Sequence, residues 1–581
     1  MPDGRVLPIA QAHREFTVKV DGQAVGRQYQ LLSVGVTLAA NRIASARLAY
    51  LDGAAASGGF ALSDSDLFTP GKTVEIRAGS GSSDDLLFKG IVVRHAIRIR
   101  DHSASQLVVE CRHAAMKLAI ARRNASYFDQ SDSDVIDSLL GAAKVTGDVE
   151  SISSKHKQLV QYRTSDWDFI VARATANGKL VWPKDDTLVV KAPKLASQPS
   201  VTLQYGATVL ELDAEIDARR QLAAVRGVSW DPAQQALIQA DGNAPSMTGP
   251  GNLSPDDLAA VGGVSQVELK HTAITETEAQ AWADAAWLRA RLDKSSGRVK
   301  CEGIGTVKPG DTVAIAGAGA RFNGNVFVTA VRHEFDVVQG WKTHVQFGGI
   351  GADIGPDGDS VSQEAAANLL PHVNGLQIGV VVSNEDPDGE HRVRIRLPMI
   401  AAGDDGIWAR AASLDAGKDR GFFFRPEIGD EVVAGCIDDD PRRAVILGML
   451  HSSAKAAPLK GSDDNHQKLY KSRAGMRVFF DDDQKILKID TPAGNAITLS
   501  EADKSLVLAD QNGNKITLGS DGVKIESAKS LEMKAGTELK MQSGTSFEAK
   551  GGTELKLEGG TQAELSSSAT TKVSGGLVQI N

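Results

Sequence analysis

From residue 523 to 581 apolar positions recur every eight residues, with almost no interruption. One column runs Val523, Leu531, Leu539, Phe547, Leu555, Ala563, Thr571, and a second, two residues on, runs Ile525, Met533, Met541, Ala549, Leu557, Leu565, Val573. Glycine keeps the same beat at Gly536, Gly544, Gly552 and Gly560, gives way to Ser568, and returns at Gly576. Inside each unit the residues alternate, so that Leu539 and Met541 point one way and Glu538 and Lys540 the other. The pattern predicts a short strand closed by a glycine corner, repeated along a rod.

One octad cannot fold alone. Two buried side chains contribute roughly 3 to 6 kcal/mol, whereas ordering eight residues costs about 8 to 16 kcal/mol of backbone entropy. A single-chain β-helix needs about 20 residues per turn, and eight fit one side of a prism. The period therefore predicts three chains, one strand each per layer, with Val523, Ile525, Leu531, Met533, Leu539, Met541, Phe547, Leu555, Leu557 and Leu565 forming the trimer core of the rod. At ~4.8 Å between strands, seven layers give a rod roughly 34 Å long.

Upstream, residues 16–110 read as consecutive strands (FTVKV, VGVTL, ARLAYL, TVEIR, FKGIVVRHAIRI, QLVVECR) punctuated by turns such as Asp21-Gly22 and Pro70-Gly71. Helical periodicity follows: Ser133 is the expected cap of one helix, and Ser165 starts another through Trp167, Phe169 and Ile170. Thr275 and Glu278 form a capping box ahead of a helix carrying Trp282, Ala285 and Leu288, and Ser254-Pro255 marks a shorter one. A second strand block (VKCEGIG, TVAIA, NVFVTAVRHEF, KTHVQFG) ends near residue 351. The turns beginning Thr69-Pro70-Gly71 and Lys308-Pro309-Gly310 match, each leading into a strand, which suggests a duplicated barrel.

The expected organisation is mainly β with some helices. It comprises a first β-barrel (1–115), a helical and mixed segment (116–198), and a second β-barrel (199–351) with an insertion at about 231–295. A linker (352–374), a small five-stranded barrel (375–452), a short linker (453–468) and a trimeric β-helix or β-prism (469–581) follow. Ahead of the octads, residues 485–499 and 504–518 repeat at a spacing of nineteen, matching Leu487 with Leu506 and Gly494-Asn495 with Gly513-Asn514.

Composition narrows the functions. A formal net charge of -9 with no basic block argues against nucleic acid. The opening MPDGRVLPIAQAHREF lacks the basic-then-apolar layout of a signal peptide, so the chain is expected to be made in the cytoplasm. Cys111, Cys301 and Cys436 lie too far apart in sequence for a metal or disulfide framework and read as packed strand residues. Gly303-Ile304-Gly305 lacks the third glycine of a dinucleotide loop. The runs Asp438-Asp439-Asp440 and Asp481-Asp482-Asp483 read as solvated hairpin turns rather than cation sites. His95, His113 and His333 have no paired carboxylate or nucleophile at useful spacing. No catalytic residue, cofactor or metal is expected, and the chain is not read as an enzyme.

Three segments carry a resemblance to a known family, the VgrG-like central spike proteins of contractile injection systems, in which a phage baseplate hub is fused to a tail spike. Residues 161–182 (QYRTSDWDFIVARATANGKLVW) look like the family's hub helix, and residues 321–335 (RFNGNVFVTAVRHEF) like its last hub barrel. The run DPDGEHRVRIRLP, WAR, FRPEIGDEVVAGCIDDDPRRAVILGML is similar to its OB-fold. The resemblance implies a homotrimer whose six hub barrels adapt a hexameric inner tube to a threefold spike, with baseplate components around the hub. It further implies a PAAR-type tip protein seated on Leu577, Val578, Ile580 and Asn581, room for effector cargo, and only transient contact with a target membrane. The unfamiliar opening strand favours an extracellular phage-tail-like particle over a type VI secretion machine. The competing reading is an enzymatic or adhesive β-helical rod, a polysaccharide-degrading tailspike or a trimeric adhesin.

Overall fold

The structure, a computed structural model, describes residues 15–55, 58–80, 83–272, 274–349, 365–400 and 405–580. The opening residues, most of the expected 352–374 linker and Asn581 lie outside the described residues. The chain divides into two units, residues 1–451 and 452–581.

The first unit contains a thirteen-stranded sheet. Six of its strands come from the first strand block: β1 (Glu15–Val20), β2 (Leu31–Ala39), β3 (Ser45–Leu51), β4 (Thr73–Ser80), β5 (Ser83–Arg100) and β6 (Ser103–Arg112). Six more come from the second: β7 (Val201–Gln204), β8 (Val209–Ile216), β9 (Ser295–Glu302), β10 (Thr312–Ala316), β11 (Gly324–Asp336) and β12 (Gly340–Phe347). The two-residue strand Gln23–Ala24 completes the count. The first block is ordered β2-β3-β6-β5-β4-β1 and the second β8-β9-β12-β11-β10-β7, so each strand of the first has its counterpart six numbers later.

The correspondence extends to hydrogen bonds and irregularities. Gly71 N–H donates to the Val92 carbonyl at 2.9 Å, and Gly310 N–H donates to the Val328 carbonyl at the same distance. Val92 N–H then donates to the Lys72 carbonyl, as Val328 N–H does to that of Asp311. The β5/β6 register slips between Val92 and Arg94, and the β11/β12 register slips between Val328 and Ala330. Likewise β2 slips on β3 between Leu31 and Ser33, and β8 on β9 between Val209 and Glu211. A bulge bends its strand and is a designed feature of a sheet, so two matched bulges in matched strands support duplication better than strand counts do. The blocks differ at one end, where β1 joins β4 antiparallel but β7 joins β10 parallel.

Each block encloses its own apolar core, Val36, Leu48, Phe68, Val74 and Ile76 in the first and Val299, Val313, Val328, Val331 and Val345 in the second. The blocks are one continuous sheet, because the second half of β11, Ala330 to Asp336, pairs antiparallel with Ala39 to Ser33 of β2.

Between the blocks lie α1 (Asp132–Ala142) and α2 (Asp166–Ala176), and α3 (Glu276–Leu292) is inserted in the second block between β8 and β9. Ser165 caps α2, and the Thr275/Glu278 capping box opens α3, both as the sequence indicates. The cap of α1 is Ser131 rather than Ser133. Ser131 forms the capping box with Asp134, satisfying two otherwise orphaned N–H groups, while the Ser133 hydroxyl accepts from Ile152 N–H at 3.1 Å. Strands Gln377–Ser383, Val393–Arg396, Ile407–Ala411, Glu431–Cys436 and Ala444–Met449 close into a five-stranded barrel around Val381, Ile395, Val432 and Ile446.

The second unit opens as a seven-stranded antiparallel meander from Gln467–Lys471 to Gly522–Glu526. The nineteen-residue repeat appears here as two equivalent turns. Thr491 N–H donates to the Asn495 carbonyl and Asp510 N–H to that of Asn514, with Gly494 and Gly513 at φ of 104° and 90°.

The duplicated hub turns give a paired test. Gly71 and Gly310 have φ of +102° and +94°, but a Cβ at position 71 meets nothing within 4 Å whereas one at 310 falls 2.6 Å from the Trp182 ring. Gly71→Ala is expected to cost about 1 kcal/mol of backbone strain, and Gly310→Ala about 2 to 4 kcal/mol once overpacking is added. Thermal unfolding of the two variants checks the order.

Candidate functional site

The octads keep their beat in the structure. Bends recur at Gly536, Gly544, Gly552, Gly560, Ser568 and Gly576. The charged positions of a unit share a side, with Glu538 2.7 Å from Lys540 and Lys556 2.6 Å from Glu558. Val523 and Ile525 sit in the last strand, opposite Leu518 and Ile516. Beyond Glu526 the described residues form no strand, and the structure brings none of the remaining core candidates together. Leu531, Met533, Leu539, Met541, Phe547, Leu555, Leu557 and Leu565 are exposed, from 49% for Met533 to 83% for Leu557. Leu577, Val578 and Ile580 are exposed as well, and Asn581 lies outside the described residues. Each large apolar side chain left in water forgoes roughly 1.5 to 3 kcal/mol. An apolar row this long marks an interaction surface.

A second constellation lies wholly inside the first unit. Asp132, in the first turn of α1, accepts Nε and Nη2 of Arg173 at 2.6 and 2.9 Å and Nδ2 of Asn177 at 2.8 Å. His156 places Nε2 2.9 Å from Asp132 and Nδ1 3.1 Å from Glu278, the capping residue of α3. Glu278 also pairs with Arg442, whose Nη2 reaches Asp440 at 2.8 Å. Asp440 meets His271 Nε2 at 3.0 Å. The chain of contacts thus runs from the hub helices to the hairpin that closes the five-stranded barrel.

The reading of residues 438–440 as a solvated turn is corrected at Asp440, while Asp438 stays exposed. Asp440 is fully buried and paired, because Arg442 folds back on it and His271 caps it from the hub. Burial alone would raise its carboxyl, but Arg442 and His271 outweigh that and hold it below the usual carboxylate range. Asp132 and Glu278 are held low in the same way, against burial, by Arg173 and by Arg442 respectively, each helped by His156. Burial works against protonated His156, yet its bonds to Asp132 and Glu278 win and raise its pKa.

Only an imidazolium donates from both ring nitrogens, and both face carboxylates. His156 thus stands between two buried carboxylates, and losing its proton removes the positive charge that both face, which is costly.

The remaining candidates are structural. Cys111 and Cys301 are fully buried in β6 and β9, and Cys436 is half-buried, with burial pushing the Cys111 and Cys436 thiols up to about 12. Burial pushes the His333 ring down to about 3, with Nδ1 3.1 Å from the Thr343 hydroxyl. His95 touches Ser63 and the Phe68 carbonyl, and His113 caps a short 3-10 turn. A Cβ at Gly303 would strike Trp341, and one at Gly305 would strike Asp85, so close packing accounts for these glycines. Among the described residues no three His, Cys, Asp or Glu side chains form a metal-holding group. No helix there is long and apolar enough to cross a membrane.

Comparison with known proteins places this geometry. The family model described as the Alg8 N-terminal domain matches residues 10–336, more than half of the chain, and the chain belongs to that family. The model of the type VI secretion system/phage-baseplate injector OB domain matches residues 377–451. The chain is 27% identical over 203 residues to the type VI secretion system spike protein VgrG1b of Pseudomonas aeruginosa, covering 32% of this chain and 26% of that protein. It is 27% identical over 143 residues to VgrG1a of the same organism, covering 22% of each. The matched parts thus span about a quarter of the length of these curated relatives. The lidless PdpA-VgrG complex matches with a TM-score of 0.51 at 8% identity, over 88% of this chain and 98% of that one. The half-lidded Francisella complex matches at 0.51 and 7% identity, over 88% of each chain. The VgrG-like resemblance read from the sequence therefore holds, with a shared fold behind it.

The ionic joint predicts a pH signature. The pKa of His156 is raised above its unfolded value of about 6.5, so its contribution is full below that pH and is lost as pH rises through the folded value. Thermal midpoints of the first unit are expected to fall from pH 6.5 into the mildly alkaline range. His156→Leu is expected to cost about 3 kcal/mol at pH 6 and to flatten that decline.

Proposed function

From this family membership we infer that the chain is the structural hub and spike of a contractile injection system, working as a homotrimer. The observation that carries the reading is the pair of apolar octad columns, in phase along the tail and uncovered in a single chain. Two further chains, each adding one strand per layer, would cover them.

Three chains also bring six duplicated hub blocks. Such a set suits a platform between a hexameric inner tube and a threefold rod, within a phage-tail-like particle. The mechanism is stiffness without turnover. When a sheath contracts, force along the axis meets strands whose edges are all paired, and the rod is driven through a target membrane. Leu577, Val578 and Ile580 offer a blunt apolar end on which a small tip protein of the PAAR type would seat, and cargo would travel attached to the spike or its tip.

The test is to place charge on the axis. Leu539→Asp or Phe547→Asp would set three like charges against one another in an apolar core, at a cost beyond one substitution's usual effect. The trimeric rod is expected not to assemble while the first unit still folds, read by solution mass and by protease resistance of the tail. A fully assembled, heat-stable rod in either variant contradicts the reading.

A further inference from the structure

We propose that the hub ring is closed by strand addition between chains, with the second half of β5 in one copy pairing antiparallel with β8 of the next, in a fixed register. The proposal rests on the homotrimer above and deepens it by naming the interface.

The argument starts from the joint already present within one chain. β11 is split in use. Its first residues, Gly324 to Phe327, pair with β10, and its second half, Ala330 to Asp336, pairs with β2. By the duplication, β5 is the counterpart of β11, and its first half pairs with β4 up to Ile91. From Arg94 onward β5 has β6 on one side, and no strand among the described residues on the other. β8 is the counterpart of β2, and among the described residues it ends the sheet with β9 alone beside it. One chain therefore makes one of the two equivalent joints and leaves both halves of the other open, which is what a repeating ring requires.

The matched turns and bulges set the register. Val92 corresponds to Val328 and Leu31 to Val209, so the pairs Ala330/Ala39 through Phe335/Val34 of the internal joint translate residue by residue. They become Arg94 opposite Asp217, Ala96 opposite Glu215 and Arg98 opposite Asp213 on one face. On the other they become Ile97 opposite Ala214 and Ile99 opposite Leu212. Nothing in the derivation used charge or hydropathy, yet Arg94/Asp217 and Arg98/Asp213 set opposite charges on one face, and Ile97/Ala214 and Ile99/Leu212 set apolar side chains on the other, beside His95/Ile216. Arg94 and Asp217 already pair within the chain with Glu110 and Arg219.

Ile97 and Ile99 are 49% and 69% exposed in the single chain, whereas their counterparts His333 and Phe335 are buried and half-buried across from β2. On the acidic side, Asp213 already lies 3.6 Å from Arg298 of β9, and Arg98 would extend that cross-strand row. The internal joint has no such ladder, since Gly35 and Thr37 stand opposite Glu334 and Arg332.

The charges also select the partner. Two β5 edges would set arginine against arginine, and two β8 edges acid against acid, each destabilising. Only the heterologous pairing remains, and a heterologous contact that closes makes a ring.

The experiment uses cysteine pairs in the full chain, oxidised and run without reductant. Ile97→Cys with Ala214→Cys, and independently Ile99→Cys with Leu212→Cys, are expected to move most of the protein into covalent species of two and three chains. Ile97→Cys with Leu210→Cys, four residues out of register, is expected to leave it as single chains. Native mass is measured alongside. A trimer in which neither in-register pair links, or in which the shifted pair links equally well, overturns the register while leaving the trimer standing. A native mass of one chain overturns both.

Discussion

A β-strand satisfies its backbone only through a neighbour, and a strand too short to bury its own apolar face needs that neighbour for its side chains as well. The whole chain follows from that constraint. In the first unit it is met internally at one place, where β11 takes β2 as its partner, and left open at the equivalent place on β5 and β8. In the second unit it is met as far as Glu526 by a meander in which each strand pairs with the next. It is then left open through the octads, where eight residues are enough for one side of a layer and no more. Both openings would be met by further copies of the same chain, as in the trimer proposed above.

The buried ionic joint has a different role. Hub helices, inserted helix and five-stranded barrel come from separate segments of the chain, and the joint ties them to one another. Asp132, Glu278 and Asp440 each require a particular cation at hydrogen-bond distance, and each cation is supplied by another segment or by a tight fold-back. Leaving any one of them unpaired is costly.

How much of this was legible in the sequence depended on whether the signal was local or repeated. The octads were legible because period and phase are properties of the chain itself, and so were the caps at Ser165, Ser254 and Thr275, which act within a few residues. The duplication showed only in its two turns. Its stronger marks, the bulges after Val92 and Val328, depend on pairing with other strands and leave no pattern in one dimension. The joint at Asp440 was misread for the same reason. Three aspartates at a hairpin resemble a wet turn, and the partner that dries it, His271, stands far away in sequence. Val523 and Ile525 lie in a strand as expected, but the number of chains that cover the later columns is a property of the assembly.

The central claim is that the open edges and apolar columns are filled by two further copies of this chain. The solution mass of the intact protein by light scattering tests it most directly. The account predicts about 184 kDa, three times 61.4 kDa, holding on dilution. A stable species of 61.4 kDa with folded, protease-resistant octads would contradict it.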